Sequence, residues 1–290
     1  MRDSIPLVSA RLDLQQHSKA RSSRLPGRRR RFLLWHNRKP MTNAKPLTRI
    51  YFPDEIPAHG SCLLSPGQAH HVVHVLRLKA GDTVAVFDGR GNEYEAVITR
   101  IAKSGVALNV GERREIDLES PLAVTLAQGI SSGERMDYTV QKAVELGAAG
   151  IQPLETSRGV VRLDGARAQK RLAHWRAIAI AACEQCGRNR VPEVAPVMTL
   201  RDWLGQAVHR PAPELRVLLA PRARSALRAL PGPPDRVLLL AGPEGGFTAE
   251  EQHDAERAGF TPLRLGPRVL RTETAAVAAL AAMQTLWGDF

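Results

Sequence analysis

Two short loops near the C-terminus hold the residue types that could bind and activate a ligand. The sequence GPEGGF at 242–247 provides glycines, which adopt positive φ and let a ligand approach the backbone. The sequence LGPRVLRTET at 265–274 places arginines, threonines and a glutamate between two apolar segments. Charged groups in that position are costly unless they are paired, solvated or used in chemistry. We predict that the two loops line one pocket.

Each loop also has a purely structural interpretation. The first could be a tight strand-to-helix turn, and it matches neither the GxxxxGKS nor the GxGxxG phosphate-binding pattern. In the second loop, Thr272 or Thr274 could cap the last helix while Glu273 favours its positive end. That interpretation leaves Arg268 and Arg271 without a role.

The segments around the two loops predict strands before them and helices after them. Arg236 to Ala241 is short and apolar, as expected of a strand covered on both faces. Thr248 precedes Glu251 at capping-box spacing, which predicts the start of a helix. Thr261 to Gly266 has the pattern of a second strand, and Ala275 to Trp287 is apolar on nearly all sides, as in a buried helix.

Between Pro121 and these loops, strand and helix patterns alternate along the chain. The predicted strands are at 122–130, 151–154 and 215–220, and the predicted helices are at 135–146 and 166–186. This alternation predicts an α/β fold with a parallel sheet and helices on both of its faces. Ligand loops in such a fold lie at the carboxyl ends of the strands.

Before Pro121, the pattern changes to short strands separated by glycine-containing turns. Strands are predicted at 83–87, 93–101 and 106–110, with a hairpin turn at 88–92. Short strands at this spacing are typical of a small β-barrel. The chain therefore divides into two domains near Pro121.

The two C-terminal motifs, GPEGGF at 242–247 and LGPRVLRTETA at 265–275, closely resemble the C-terminal signature of the RsmE family. Further matching motifs occur in order: RIYF at 49–52, HVLR at 74–77, LAQG at 126–129, QKAVELG at 141–147, PLETSR at 153–158 and EQCGR at 184–188. The resemblance spans residues 47–288. Members of this family are S-adenosylmethionine-dependent methyltransferases of the SPOUT class that modify N3 of a uridine in 16S ribosomal RNA of the small subunit.

The resemblance implies a PUA-like, RNA-binding β-barrel at 41–118 and a SPOUT methyltransferase domain at 119–290. It also implies that the parallel sheet ends in a C-terminal trefoil knot, a feature so rare that composition and spacing could not predict it. SPOUT enzymes generally dimerise through apolar elements such as the final helix. We therefore expect a homodimer that completes its active site across the interface.

The same resemblance assigns the cofactor S-adenosyl-L-methionine to the two loops. One wall of its pocket is expected from Leu240, Gly242, Glu244, Gly245 and Gly246. The opposite wall is expected from Leu265, Gly266, Leu270, Thr272 and Thr274. Backbone amides and carbonyls of such residues can recognise an adenine without charged side chains.

Methyl transfer mainly requires that donor and nucleophile be held at near-attack distance. The N3 atom of uracil becomes a good nucleophile only after its proton leaves, and a cationic environment stabilises the resulting anion. Arg271 is the first candidate for that role and Arg158 is the second. Glu273 is a candidate proton acceptor, with a helix-terminus carboxylate as its alternative interpretation.

The N3 atom lies on the Watson–Crick edge, so the target nucleotide must be unpaired or flipped out. Phosphate contacts are expected from Arg49, Arg77 and Lys79 in the first domain, and from Arg188 and Arg190 in the second. Each of these residues could instead be a solvated surface charge.

Most of the chain's positive charge lies in its first forty residues. They contain eleven lysines and arginines and two acidic residues, a balance of +9 out of the formal +12, so the other residues carry +3. Their composition, with an arginine run at 28–31, predicts disorder. We prefer Met41 as the true start, with a basic RNA-binding arm as the alternative for 1–40. RNA binding by the folded part must depend on local patches.

Neither a metal site nor a membrane span is predicted. The three cysteines are too few for a disulfide framework, which favours a reducing cytoplasm. Cys183 and Cys186 form a CxxC without the second pair that a structural zinc site needs. His70, His71 and His74 have ligand-like spacing but no HExxH pattern. No apolar run approaches the length needed to cross a bilayer.

Two alternatives remain beside methylation of 16S ribosomal RNA. A SPOUT methyltransferase acting on another RNA, such as transfer RNA or 23S ribosomal RNA, would share the fold and cofactor. A noncatalytic ribosome-assembly protein could keep the same scaffold for RNA binding alone. Binding of S-adenosylmethionine separates the second alternative from the first.

Overall fold

The computed structural model describes residues 47–207, 214–230 and 232–290. The basic segment 1–40 and the start at Met41 lie outside these ranges, so the interpretations given for them stay predictions.

Five strands form the first sheet, with one parallel pair and otherwise antiparallel pairs. They are β1 Thr48–Tyr51, β2 Gly60–Leu63, β3 Thr83–Phe87, β4 Glu93–Ala102 and β5 Gly105–Arg113, in the order β1-β3-β4-β5-β2. Helix α1, Pro66–His70, follows β2 and continues as a π-helical turn, His71–Val75. The predicted hairpin at 88–92 is present, and the Asp88 carboxylate accepts the backbone N–H groups of Arg90 and Asn92.

The second sheet is entirely parallel, as the alternating pattern predicted. Its strands are β6 Ala123–Gly129, β7 Gly150–Glu155, β8 Glu193–Val194, β9 Met198–Thr199, β10 Leu215–Leu219, β11 Arg236–Ala241 and β12 Thr261–Leu263. Their order is β12-β10-β11-β6-β7-β8, with β9 also paired to β7. Strand β11 is buried from its second residue to its last because helices cover both faces.

Two apolar clusters occupy the two faces of this sheet. Helices α2 Glu134–Glu145, α3 Gly165–Cys186 and α6 Thr272–Trp287 pack on one face, with Trp175 and Met283 fully buried. Helices α4 Leu200–Ala207 and α5 Ala249–Arg257 pack on the other, where the Trp203 and Phe260 rings are 5.6 Å apart. The predicted α/β architecture with helices on both faces is confirmed.

The boundaries of the last two elements differ from the prediction. Strand β12 ends at Leu263 and not at Gly266, since it pairs with β10 over three residues only and Gly266 adopts a φ of +95°. Helix α6 begins three residues earlier than the apolar pattern, at Thr272. The predicted domain boundary near 119 and the trefoil knot stay predictions.

Candidate functional site

Four of the loops that leave the second sheet where its parallel strands end, at what we call the carboxyl edge, hold the candidate site residues. They are residues 130–133 after β6, 156–164 after β7, 242–248 after β11 and 264–271 after β12. Strands β11, β6 and β7 are direct neighbours, so three of these loops emerge side by side. Helix α6 then returns to contact β11 and β6, which brings the fourth loop back to the other three.

A buried glutamine and a threonine tie the two predicted site loops together. The Gln128 side chain is fully buried, and its Nε2 donates to the carbonyl of Gly242 at 3.1 Å and to Thr272 Oγ1 at 3.1 Å. The Thr272 hydroxyl donates to the same Gly242 carbonyl at 2.5 Å. The first turn of α6 is therefore fixed against the GPEGGF loop, as one shared pocket requires.

The suggestion that Thr272 or Thr274 caps the last helix was wrong. The N-cap residue of α6 is Arg271, and no side chain makes a capping hydrogen bond there. Thr272 instead uses its hydroxyl for the Gly242 carbonyl. A second capping motif is confirmed, because Thr248 and Glu251 exchange hydrogen bonds at the start of α5.

Two glycines allow the loops of the carboxyl edge to approach one another closely. A Cβ atom at Gly129 would lie 2.5 Å from Cδ of Pro243 and 2.6 Å from its backbone nitrogen. A Cβ atom at Gly245 would lie 2.9 Å from both Cβ and the carbonyl oxygen of Arg158. Arg158 Nη1 also donates to the Gly245 carbonyl at 3.4 Å. Arg158, predicted on family grounds, thus lies directly over the glycine loop.

Glu244 joins the GPEGGF loop to the loop after β6. Its Oε1 accepts the Ser132 backbone N–H at 2.9 Å, the Ser132 hydroxyl at 2.9 Å and Arg135 Nη1 at 2.8 Å. Burial alone would raise the pKa of Glu244, but these hydrogen bonds together hold it below its usual value. Glu244 is therefore an ionised clamp at neutral pH, and its Oε1 holds the GPEGGF loop against the loop after β6.

Several buried polar atoms at the carboxyl edge have no hydrogen-bond partner among the described residues. They are Gln128 Oε1, Ser131 Oγ, Thr156 Oγ1 and Glu273 Oε2. A buried polar group without a partner costs about 1–3 kcal/mol. These four atoms lie at the end of β6, after β7 and at the start of α6, where a bound polar ligand would complete their hydrogen bonds.

Family models and relatives agree on the protein family to which this chain is similar. The chain matches the family of RNA methyltransferase domains over 118–284 and that of RNA methyltransferase PUA domains over 64–110. It is 33% identical over 246 residues to the ribosomal RNA small subunit methyltransferase E of Buchnera aphidicola from Acyrthosiphon pisum, covering 85% of this chain and 96% of the relative. The Bacillus subtilis protein of that name is 34% identical over 226 residues, 74% of this chain and 86% of the relative.

The chain belongs to the ribosomal RNA small subunit methyltransferase E family. The predicted family is thereby confirmed.

Solved structures of similar proteins support the same conclusion. The Neisseria gonorrhoeae ribosomal RNA small subunit methyltransferase E, bound to S-adenosyl methionine, is 40% identical with a TM-score of 0.78, over 84% of this chain and 99% of that one. A putative methyltransferase of Legionella pneumophila, in complex with the cofactor SAM, is 42% identical with a TM-score of 0.80, over 85% and 100%. These likenesses confirm the predicted fold class, a PUA-like barrel followed by a SPOUT-type parallel sheet.

Within this family fold, the predicted phosphate-binding residues fall into two groups. Arg77, Lys79 and Arg190 are exposed. Arg77 has a φ of +55° in the turn after the π-helical segment, and Arg190 Nη1 donates to the Arg90 carbonyl at 2.8 Å. Their side chains can meet a large anionic partner.

The prediction that Arg49 and Arg188 contact phosphate was wrong, because both are held in a buried polar network between the barrel and the second sheet. Arg188 is 4% exposed, pairs with Glu119 at 2.5 Å and donates to the carbonyls of Val144 and Ala148. Arg49 pairs with Glu93, which is fully buried, and donates to the Arg188 carbonyl and to Asn189. Arg114 also pairs with Glu93, and we call this cluster the interdomain network.

The CxxC pair lies in the last turns of α3, as the helical interpretation predicted. Burial raises the pKa of the Cys183 thiol to about 12, and burial raises that of Cys186 as well. Thiols in this state are protonated at neutral pH and are poor metal ligands or nucleophiles. No group of three potential metal ligands occurs in the described ranges, and no helix there is long and apolar enough to cross a membrane.

Sequence reasoning assigned no role to Gln128, Ser131 or Thr156, although two of them lie in motifs that carried the family resemblance. Gln128 belongs to LAQG and Thr156 to PLETSR. Both are uncharged, so composition gave no sign of them. Their positions in the sheet did give a sign: Gln128 is near the end of β6, and Ser131 and Thr156 follow β6 and β7, at the edge where ligands bind.

Proposed function

We propose that this protein transfers a methyl group from S-adenosylmethionine to N3 of a uridine in 16S ribosomal RNA of the small subunit. The observation that carries this proposal is the set of unpartnered buried atoms at the carboxyl edge, in a chain of the methyltransferase E family. The similar proteins from N. gonorrhoeae and L. pneumophila contain S-adenosylmethionine.

The residues of the carboxyl edge fit a bound S-adenosylmethionine. Space is open beside Gly246 and Gly266, where a Cβ would meet no atom within 4 Å, and both have positive φ. Gln128 and Thr156 offer buried polar atoms for the nucleoside. When bound, the cofactor supplies an electrophilic methyl carbon on a sulfonium. One wall of the site is proposed from Leu240, Gly242, Glu244, Gly245 and Gly246, and the other from Leu265, Gly266, Leu270, Thr272 and Thr274.

Chemistry at the uracil requires a proton acceptor and a cationic environment. Arg271 is exposed at the N-cap of α6, and Arg158 contacts the glycine loop at Gly245. Their guanidinium groups stabilise the anion formed when the N3 proton leaves. Glu273 has a buried carboxylate oxygen without a partner in the described chain, so we propose it as the group that takes this proton.

The RNA must present an unpaired or flipped uridine to this edge. We propose that Arg77 and Lys79 of the barrel and Arg190 of the second domain contact its phosphates, since all three are exposed. Because bacterial ribosomal RNA is made and assembled in the cytoplasm, we propose that location for the reaction.

We also propose that the protein is a homodimer whose chain forms the trefoil knot of its class. Two large apolar side chains support the dimer, Leu286 in the last turn of α6, 49% exposed, and Phe290 just after the helix, 61% exposed. Burial of such groups between subunits is favourable. Light scattering on the purified protein measures the mass directly, and a monomeric mass would contradict the dimer.

Methylation of small ribosomal subunits that lack the modification tests the proposed function. The purified protein should add one methyl group, mapped by primer extension to a single uridine, because a methyl at N3 blocks base pairing. Arg271→Ala should lower turnover at least about a hundredfold, the effect typical of losing one anion-stabilising group. Arg236→Ala, at the other end of β11, is the control and should be fully active.

Two results would oppose the proposal. Methylation of transfer RNA or 23S ribosomal RNA alone would move the substrate to another RNA. Near-normal turnover by Arg271→Ala would remove its assigned role.

A further inference from the structure

The loop after β10 lies against the loop after β12, which reaches the first turn of α6. The Ala220 N–H donates to the Leu263 carbonyl at 2.8 Å, and the Arg264 N–H donates to the Ser225 carbonyl at 3.0 Å. Ala226 and Arg264 form an isolated parallel bridge. Leu227 anchors the first loop in the apolar core with 9% exposure. The two loops therefore have a fixed relative position.

Six exposed arginines lie on these two loops, which we call the basic strip. They are Arg222, Arg224, Arg228, Arg264, Arg268 and Arg271. No acidic residue occurs at 220–230 or at 264–272. None of the six side chains has a hydrogen-bond or carboxylate partner within the part of the chain that the structure describes.

The absence of local acids and partners separates this strip from the other arginine-rich region of the protein. In the interdomain network, Arg49, Arg114 and Arg188 each pair with a carboxylate. Six unpaired guanidinium groups, on two loops held together by backbone hydrogen bonds, repel one another unless anions lie between them. An extended polyanion with regularly spaced charges fits this arrangement better than a single small anion.

We propose that the basic strip binds the phosphates of the RNA strand next to the target uridine. This inference rests on the proposed function, and it adds a phosphate-binding surface on the methyltransferase domain itself. The last arginine of the strip, Arg271, is the N-cap residue of α6 at the carboxyl edge. An RNA backbone bound along the strip would therefore reach the place where the methyl donor is proposed to lie. Guanidinium groups suit this role because they bind phosphate oxygens in a bidentate way.

The salt dependence of RNA binding tests the strip without measuring turnover. Each phosphate contact to a single strand contributes about 0.7 to the slope of log affinity against log salt. The double variant Arg222→Ala with Arg224→Ala should therefore reduce the slope for 16S ribosomal RNA by about 1.4. Its affinity near physiological salt should fall about tenfold, while its affinity for S-adenosylmethionine stays unchanged.

Two further variants control for net charge and for folding. Arg236→Ala with Arg257→Ala removes the same charge at the opposite end of the sheet, where β11 begins and α5 ends, and should keep the wild-type slope. Arg222→Lys with Arg224→Lys retains the charge and should keep the wild-type slope.

Equal salt slopes for the wild type and the Arg222/Arg224 alanine variant would contradict phosphate binding by the basic strip. A loss of slope in the Arg236/Arg257 control as large as that of the Arg222/Arg224 variant would contradict it as well. Failure of the wild type to methylate the same RNA would overturn the proposed function instead. The binding slopes are read independently of methylation, so the two failures are distinguishable.

Discussion

Two regions of this molecule bury polar side chains, and they differ in whether those side chains have partners. In the interdomain network, Glu93 pairs with two arginines, and Arg188 pairs with Glu119 and two backbone carbonyls. At the carboxyl edge, Gln128, Ser131, Thr156 and Glu273 each keep a buried atom without a partner in the described chain. The network also has one buried atom without a partner in the described chain, Nε of Arg49, but each of its charged groups is paired with an opposite charge.

Under the proposed function, this difference separates residues that hold the fold from residues that receive the ligand. Buried charges are tolerated when their partners are internal, and the charges of the network neutralise one another. The atoms at the carboxyl edge regain their hydrogen bonds only when another molecule arrives. Perturbing the network should therefore change stability, and perturbing the edge should change ligand affinity.

Breaking the interdomain network should give the largest change. Arg188→Met keeps the apolar stem but leaves Glu119 and two carbonyls without their partner, which should lower the free energy of unfolding by about 3 kcal/mol. Chemical denaturation measures this change. Arg257→Met, which breaks an exposed pair with Asp254, is the control and should cost less than about 1 kcal/mol. Folded Arg188→Met should bind S-adenosylmethionine with normal affinity. A large loss of affinity would contradict the claim that the network affects only stability.

Crowding the carboxyl edge should mainly affect the ligand. Gly129→Ala places a methyl group against the Pro243 ring and backbone, so the GPEGGF loop must move. Affinity for S-adenosylmethionine, measured by calorimetry, should fall at least tenfold, which corresponds to about 1.4 kcal/mol. Gly205→Ala, in a helix with open space around it, is the control and should bind normally. Equal affinities for Gly129→Ala and the wild type would contradict the location of the site.

Removing an unpartnered hydroxyl should lower the affinity for the ligand without lowering the stability of the protein. Thr156→Val should leave the ligand-free protein as stable as the wild type, or more stable by up to about 1 kcal/mol, since no internal hydrogen bond is lost. Its affinity for S-adenosylmethionine should fall severalfold. The control Thr139→Val loses a hydrogen bond to the Arg135 carbonyl, so it should be destabilised by about 1 kcal/mol with normal affinity. A destabilised Thr156→Val would show that this hydroxyl serves the fold.

The clamp made by Glu244 should give the smallest effect, visible as a pH dependence. Its pKa is lowered in the folded state, so its contribution to stability is present above the ordinary glutamate value of about 4.3 and is lost as pH falls through the lower folded value. Glu244→Gln should therefore have a lower melting temperature than the wild type at pH 7. The difference should shrink below about pH 4. A difference that is constant from pH 7 to pH 3 would exclude the ionised clamp.

The sequence predicted several elements of both regions, because local patterns determine them, but not β1, which carries Arg49. Strands β3 and β11 have the predicted bounds, since each is a short apolar run between turn residues. The first turn of α6 was missed because Thr272 and Glu273 are polar. Burial of Thr272 depends on Gly242, thirty residues earlier in the chain.

Pairing between distant residues could not be read from the sequence. Arg49 and Arg188 have the residue type of phosphate ligands, yet their partners Glu93 and Glu119 lie 44 and 69 positions away. Only the three-dimensional arrangement shows that these charges are already neutralised. The basic strip was missed for the same reason, since its two loops are joined through β10 and β12.

A crystal structure of the protein grown with S-adenosylmethionine tests the central claim most directly. We expect the methyl donor between the loops at 242–248 and 264–271, with hydrogen bonds to at least two of the four unpartnered atoms of the carboxyl edge. A donor bound elsewhere, or one that leaves Gln128, Ser131, Thr156 and Glu273 without new partners, would contradict it.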